Sequence, residues 1–510
     1  MQNSFSEEKI QSIDNNLYEC LVIGTGTSAE PVIYHLSQSN LNTLIIDRSD
    51  IYKEHSEVNL SKRKISKITP KQIFSNLRIH DKKSYISLAN NVVLKCINFS
   101  YIYSFVSGGL SNFWGGGIFA WPDNEIVKAT SISVDLIKSS YANISKRLKI
   151  LSRNDFLEKS SFSNFFLLKQ KGNSSRIFEA SKFFISDNGI SNHELYKQNY
   201  DQHLIWKASH SIRKYINNNN NLNYLSDTTA LSIKKFSNHY EIYCLQGDNL
   251  KKIRSKSIFL CAGVVNSTYL GFSALDLKEE LFKLNHSLAS ITPIVHTGFL
   301  PKFSKNNIDL PDLSWSLISK GSNISGYLVS SYFIHKRILI KLKNSFFRIM
   351  YRLVERLLPS LAFITIFSCS NKTKTELKIK KISVNNNFID HYCLEIRNSN
   401  NLISTKKYVL KELNNLSNFI KGKFYLLKFF TQHAKIGGDI HYGSTMPEKN
   451  IMKSPINTTI IGEIEKAKNI YSCDAARLGF ISSLPHTFTV MAIIDSSMPL
   501  IIEKLIKEKF

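Results

Sequence analysis

A short apolar run, YECLVI at residues 18–23, runs straight into the turn GTGTSAEP and then into the helical pattern VIYHLSQS. This strand, glycine turn and helix constrain the fold more than any other feature, because a buried parallel strand needs strands beside it and helices over its faces. Gly24 allows the tight turn, Gly26 lets a pyrophosphate approach the backbone, and Ala29 is small enough for helix and strand to pack closely. Phosphate would lie at the helix N-terminus, where unpaired N–H groups and the macrodipole favour negative charge. The next strand, TLIIDRSD, ends in Asp47, about 20 residues on, where a carboxylate can bond a ribose hydroxyl. That favours NAD or FAD over NADP and does not choose between the first two. Thr25 and Arg48, beside these positions, join the candidate cofactor-binding set.

Two later segments have no place in a plain nicotinamide dehydrogenase. The first is SGGLSNFWGGGIFAWP, residues 107–122. Gly108, Gly109, Gly115, Gly116 and Gly117 let backbone approach a large flat ligand, Ser111 and Asn112 can bond its polar edge, and Trp114 and Trp121 stand in the same loop. The second is SIFLCAGVVNSTYL, residues 257–270, a strand that enters a small-residue turn at Ala262 and Gly263 and then a helix. Late in the chain two histidines sit among small and hydroxylated residues, His441 in GGDIHYGSTMP and His486 in SSLPHTFTVMA. Their similar settings suggest one shared site.

Taken together, GTGTSA with Asp47, GGLSNFWGGG, FLCAG, HYGSTMP and NIYSCDAARLGFISSLPHTFTVMA resemble the glucose–methanol–choline family of FAD-dependent oxidoreductases. The resemblance covers about residues 1–125, 222–275 and 436–510. It implies an α/β fold: an FAD-binding, Rossmann-like domain on a parallel sheet, and a discontinuous substrate domain on an antiparallel sheet with helices. The expected division is 1–130, 206–285 and 433–510 for the FAD-binding domain, with 131–205 and 286–432 for the substrate domain. Segments 286–300 and 323–334, rich in β-branched and aromatic residues, read as strands of the latter.

Residue by residue, the resemblance implies that Gly24, Gly26 and Asp47 hold the ADP half of FAD and that the loop Gly108–Gly117 passes the flavin. Asp474 would lie near the ribityl and pyrophosphate groups, with Thr487 and Thr489 in the closing helix beside it. His441 and His486 take the two catalytic positions. Three departures stand out. HYGSTMP is shorter than the commonest family form, CDAARLGF carries an unexplained Arg477, and SNFW holds no histidine to which FAD could be attached, so a non-covalent flavin is expected.

The implied chemistry is oxidation of an alcohol or saccharide CH–OH. A base takes the hydroxyl proton while the flavin accepts hydride at N5. Histidine suits the base, because an unperturbed pKa of about 6.5 leaves it neutral yet receptive near pH 7. His433, close by in TQHAKIGG, reads as structural, and no metal-ligand spacing or GxSxG motif appears. The electron acceptor is left open. A lyase on the same fold is an alternative.

At 510 residues and a formal charge of +26, the chain has room for about two domains and a strongly basic surface. Runs such as NNNNNLNY show the Lys, Asn and Ile bias of an AT-rich genome, which accounts for the charge without a nucleic-acid partner. The alternative in another class is a basic peripheral membrane or nucleic-acid-binding protein with a vestigial flavin site. Seven scattered cysteines without a CxxC pair fit a reducing compartment, and MQNSFSEEKIQSIDNN is unlike a signal peptide, so a cytoplasmic protein is expected. Residues 336–367 read as a basic amphipathic helix ending at Pro359, suited either to an anionic membrane interface at the inner face or to a substrate-domain sheet.

Overall fold

A computed structural model describes residues 10–52, 78–80, 85–112, 114, 117–152, 178–180, 182–184, 206–296, 313–319, 322–330, 361–369, 374–382, 389–399, 407, 409–414, 417 and 424–508. Gly115, Gly116 and residues 336–360 of the basic segment lie outside these.

The first sheet grows from the expected strand–turn–helix unit: β1 (Ile10–Ile23), α1 (Ala29–Ser37) and β2 (Thr43–Ile46). Cys20, Leu21 and Val22 of β1 are fully buried. Each aliphatic side chain so buried contributes about 1.5–3 kcal/mol, which is why a run without alternation takes the centre of a sheet. The remaining elements of this layer are α2 (Val134–Arg147), α3 (Ala208–Asn218), β3 (Leu222–Leu225), β4 (Thr228–Lys235), β5 (Tyr240–Gln246), β6 (Asn249–Leu260), α4 (Val264–Ala274), β7 (Ile470–Ser472) and α5 (Thr487–Lys507).

The strand order is β3-β2-β1-β6-β5-β4, with β7 on the C-terminal end of β6. Strands β3, β2, β1, β6 and β7 are parallel, and β4 and β5 add an antiparallel meander. Register places Leu225, Ile46, Ile23, Leu260 and Ser472 in one row across the sheet. The turns that follow β1, β2, β6 and β7 therefore open on the same edge, the place where open α/β sheets take their ligands.

Packing at that edge is tight. Gly24 has φ +99°, and a Cβ there would lie 2.6 Å from the Cys261 carbonyl oxygen. Gly24→Ala combines left-handed strain with overpacking, and we predict a loss of at least about 1–3 kcal/mol in urea unfolding. A variant as stable as the parent would contradict this account of the turn.

Two larger sheets and three two-stranded ones lie outside this layer among the described residues. An antiparallel one orders Phe424–Leu426, Leu288–His296, Leu361–Ser368, Ser322–Ser330, Leu313–Ser319 and Phe178–Ala180, with Gln432–His433 also on Leu288–His296. Both segments read as strands, 286–300 and 323–334, supply strands to it. A five-stranded sheet orders Glu279–Lys283, Thr375–Ile382, His391–Asn398, Val92–Ile97 and Ile86–Ala89. A two-stranded ladder pairs Asn285–His286 with Tyr442–Gly443 of the C-terminal quarter. Among the described residues, no helix is long and apolar enough to cross a membrane. No disulfide joins the seven cysteines.

Candidate functional site

A cavity of about 1320 Å³, its mouth included, opens at the aligned carboxyl ends of the strands. Its wall contains the turn Gly24–Ser28, Asp47, Arg48, Gly109, Ala262, Gly263, Asp474, His486 and Thr487. The segments after β1, β2, β6 and β7 meet here because those strands form one parallel row, while Gly109 comes from the loop after Tyr101–Tyr103 and His486 from the start of α5.

The wall fits a dinucleotide. A Cβ added to Gly26 would meet nothing nearer than the Cys261 carbonyl oxygen at 4.0 Å, so the open face of that glycine is a cradle any side chain would fill. Gly109 reaches the same point from the glycine-dense loop, its notional Cβ 3.6 Å from the Gly26 Cα. Thr25 ties three pieces together: its backbone N–H and Oγ1 donate to Asp47 Oδ2 at 2.9 and 2.6 Å, and Oγ1 accepts from the Gly108 N–H at 3.0 Å. Burial pushes the Asp47 carboxyl up to about 6, against the opposing pull of the Thr25 and Ser49 donors. Asp474 is likewise raised to about 6 by burial, while Ser267 Oγ and the Ala476 N–H donate to it. Both carboxylates are ionised at neutral pH and face the cavity as acceptors.

Several residues of the candidate cofactor-binding set make contacts within the protein. Ser111 Oγ donates to the Gly108 carbonyl at 2.6 Å and accepts from the Ala208 N–H. The Asn112 amide donates to the Ser107 and Gly109 carbonyls. A loop this rich in glycine has few side chains to brace it, and these two do so. The Thr489 hydroxyl lies buried on α5, 2.6 Å from the Tyr141 hydroxyl. Trp114 donates to the Trp206 carbonyl, and Ala29 is buried at the start of α1. None of these five lines the cavity. Arg48 does: it donates to the Leu88 carbonyl, and its guanidinium lies 3.8 Å over the Phe105 ring.

His441 and His486 come together edge to face, with ring centroids 5.4 Å apart and planes at 82°. His486 is the N-cap of α5, and its position is set by backbone: Trp121 Nε1 donates to the Pro485 carbonyl at 3.2 Å, and Ser325 Oγ of the antiparallel sheet donates to the Ser483 carbonyl at 2.6 Å. Its Nδ1 is buried without a hydrogen-bond partner, which leaves a polar atom for something not made of protein. Burial pushes the His441 imidazole down to about 4, and burial followed by the neighbouring His441 takes His486 down to about 3. Both rings are neutral near pH 7.

Sequence reading passed over part of this wall. Tyr101, Tyr103 and Phe105 form an aromatic ladder along it, with Tyr101 and Tyr103 stacked at 5.2 Å. The alternation YIYSF, immediately before the glycine-dense loop, carried that signal. Asp439, two residues before His441, was also missed; its Oδ2 lies 3.8 Å from His441 Nδ1.

The unexplained Arg477 is a buried fastener. It is 1% exposed, donates to the Ile460 carbonyl at 2.7 Å and to Ser497 Oγ at 3.3 Å, and lies 3.7 Å from the Glu448 carboxylate. The turn after β7 is thereby tied to α5 and to the loop after HYGSTMP.

No protein-family model and no curated protein matches the chain. Among solved structures it is similar to pyridoxine 4-oxidase from Mesorbium loti, with a TM-score of 0.57 and 12% identity over 95% of this chain and 99% of that one. At that identity the likeness speaks for the fold. The chain has the fold of the glucose–methanol–choline oxidoreductases, the family its motifs resemble.

Proposed function

We propose that the protein is an FAD-dependent oxidoreductase that oxidises a CH–OH group of an alcohol or sugar, with His441 and His486 as base and substrate-orienting partner. The observation that carries this reading is the pair of neutral imidazoles meeting beside a cavity whose wall already suits a dinucleotide. Gly26 and the α1 N-terminus would take the pyrophosphate, Asp47 a ribose diol, and Asp474 the groups between. The attachment is non-covalent. Bound FAD would supply the hydride acceptor, taking both electrons with the hydrogen on carbon.

The protein's own part is the remaining proton. A substrate hydroxyl placed between the two rings donates it to one imidazole, while the other holds the oxygen and turns the C–H bond toward the acceptor. Neutral rings are required for both tasks. Burial supplies them.

The purified chain should carry flavin absorbance that bleaches without oxygen when a suitable alcohol or sugar is added. Refolded protein that never takes up FAD would sink the proposal. Asp47→Asn should weaken FAD binding about 10- to 100-fold, since a hydrogen bond to a charged group contributes ~1.5–3 kcal/mol. The pH dependence has a fixed sign. Asp47 is ionised above about 6 and gains a proton as pH falls through that value, so parent affinity should drop between pH 7 and 5, and the Asp47→Asn variant should keep only the part of that drop that Asp474, likewise near 6, contributes. Fluorescence titration at the two pH values checks both statements.

A further inference from the structure

We propose that Asp439, acting through Ser287, is a positioning residue that fixes which ring nitrogen of His441 carries the proton. The inference deepens the reading of His441 as the base and rests on it.

The geometry begins with the short ladder. Asn285 pairs with Gly443 and His286 with Tyr442, and the Ser287 N–H continues the register by donating to the His441 carbonyl at 3.0 Å. Ser287 is thus set against the turn 439–441. Its hydroxyl donates to Asp439 Oδ2 at very close range, and its oxygen lies 3.5 Å from His441 Nδ1. A hydroxyl whose hydrogen goes to a carboxylate has lone pairs left to accept. His441 therefore keeps its hydrogen on Nδ1, directed at Ser287, and presents Nε2 as a bare lone pair.

Two observations set Asp439 apart from an ordinary turn residue. Its side chain is 1% exposed and its Oδ1 has no partner, an arrangement that packing alone gives no reason to keep. Ile440, between the carboxylate and the imidazole, has φ +69°, a conformation that costs a β-branched residue about 1–2 kcal/mol. Strain and an incompletely satisfied carboxylate are features that a site tolerates for chemistry.

When His441 accepts the substrate proton, the substrate O–H bond breaks and an Nε2–H bond forms; bound FAD would supply the acceptor for the hydride and its electron pair. The imidazolium so formed faces a carboxylate 3.8 Å from Nδ1. Burial raises Asp439 to about 7, opposed by the Ser287 donor, so the carboxylate is available from neutral pH upward. Around this pair stand His486 from α5, whose ring meets His441, His286 from the ladder, whose Nδ1 lies 2.8 Å from the Ser287 carbonyl oxygen, and Tyr442, next to His441 in the chain. Burial holds His486 at about 3 and His286 at about 4, and it pushes Tyr442 up, so all three groups are uncharged near pH 7.

The test uses the full-length protein with 15N-labelled histidine and needs no substrate. Nitrogen shifts of His441, assigned by loss in His441→Gln, should show the Nδ1–H tautomer in the parent and a change toward Nε2–H in Ser287→Ala and Asp439→Asn. An Nε2–H parent overturns the proposal even if neither variant folds. So does a parent-like tautomer in both folded variants. With a turned-over substrate, Asp439→Asn should lower kcat about 10²- to 10³-fold with little change in KM. It should also abolish the fall in kcat/KM as pH drops through about 7. A merely structural Asp439 would lower the melting temperature and leave tautomer and pH profile alone. If no alcohol or sugar reduces the flavin, the parent reading fails, and the nitrogen shifts still decide the relay.

Discussion

His441→Gln is expected to slow reduction of the flavin by substrate about 10²- to 10⁴-fold, the range that one positioned proton-transfer group contributes. Glutamine nearly preserves the volume and can still donate to Ser287, but it has no nitrogen lone pair of useful basicity. The loss should fall on the single-turnover rate without oxygen, and the flavin spectrum should remain, because His441 does not line the cavity proposed for the dinucleotide. His486→Gln should act differently. Its ring lines the cavity and its Nδ1 is unpartnered, so the change should appear in KM as well as kcat. Two variants that reduce at the parent rate would remove the imidazole pair from the chemistry. Loss of FAD from His441→Gln would show instead that the ring supports the pocket.

The legibility of the fold was local. β1, α1 and β2 could be read because an unbroken apolar run, a glycine turn and a helical period are properties of adjacent residues, and the parallel row across the sheet follows from them. The backbone bonds of Ser111 and Asn112 were not legible for a reason of the same kind. A polar side chain in a glycine-rich loop has both a ligand and its own backbone within reach, and only the coordinates show that the Ser107, Gly108 and Gly109 carbonyls are the partners. Thr489 was displaced by a partner 348 positions away, Tyr141. Ser287 could not have been found at all without the register of the Asn285–His286 ladder against Tyr442–Gly443, a pairing across more than a hundred residues that no periodicity encodes. Asp439, by contrast, stood in plain view in GGDIH.

The largest expected loss of stability lies behind the glycine turn. Arg147, at the end of α2, donates to both oxygens of Glu30 at 2.9 and 3.0 Å, lies 3.1 Å from Asp495 and stacks 4.0 Å over the Tyr34 ring. Tyr215 of α3 also donates to Glu30, and His35 lies 3.1 Å from Asp495. One guanidinium therefore joins α2 to α1 and α5, with α3 attached through Tyr215 on the same Glu30, and it neutralises carboxylates that are 0% and 3% exposed. Arg147→Leu leaves Glu30 with the Tyr215 hydroxyl and Asp495 with His35, and removes the guanidinium from both. We predict a loss of about 3–5 kcal/mol in urea unfolding, a large share of the ~5–15 kcal/mol that holds a typical protein folded. Arg147→Lys should recover only part, because an ammonium cannot bond both Glu30 oxygens in one plane. Adding Glu30→Gln to Arg147→Leu should recover more, since one of the stranded charges is then gone. FAD affinity should follow the same order: Glu30 is in the first turn of α1, and without the guanidinium it would repel the phosphate expected there. Acid should erase part of the parent's advantage. Burial raises the Asp495 carboxyl, but His35 and Arg147 outweigh it and hold the group below its ordinary range. Its contribution is therefore present above the unfolded value near 3.8 and disappears as pH falls through the lower folded one. An Arg147→Leu protein within about 1 kcal/mol of the parent would mean that water reaches these carboxylates, and the claim that one cation holds these helices together would fall.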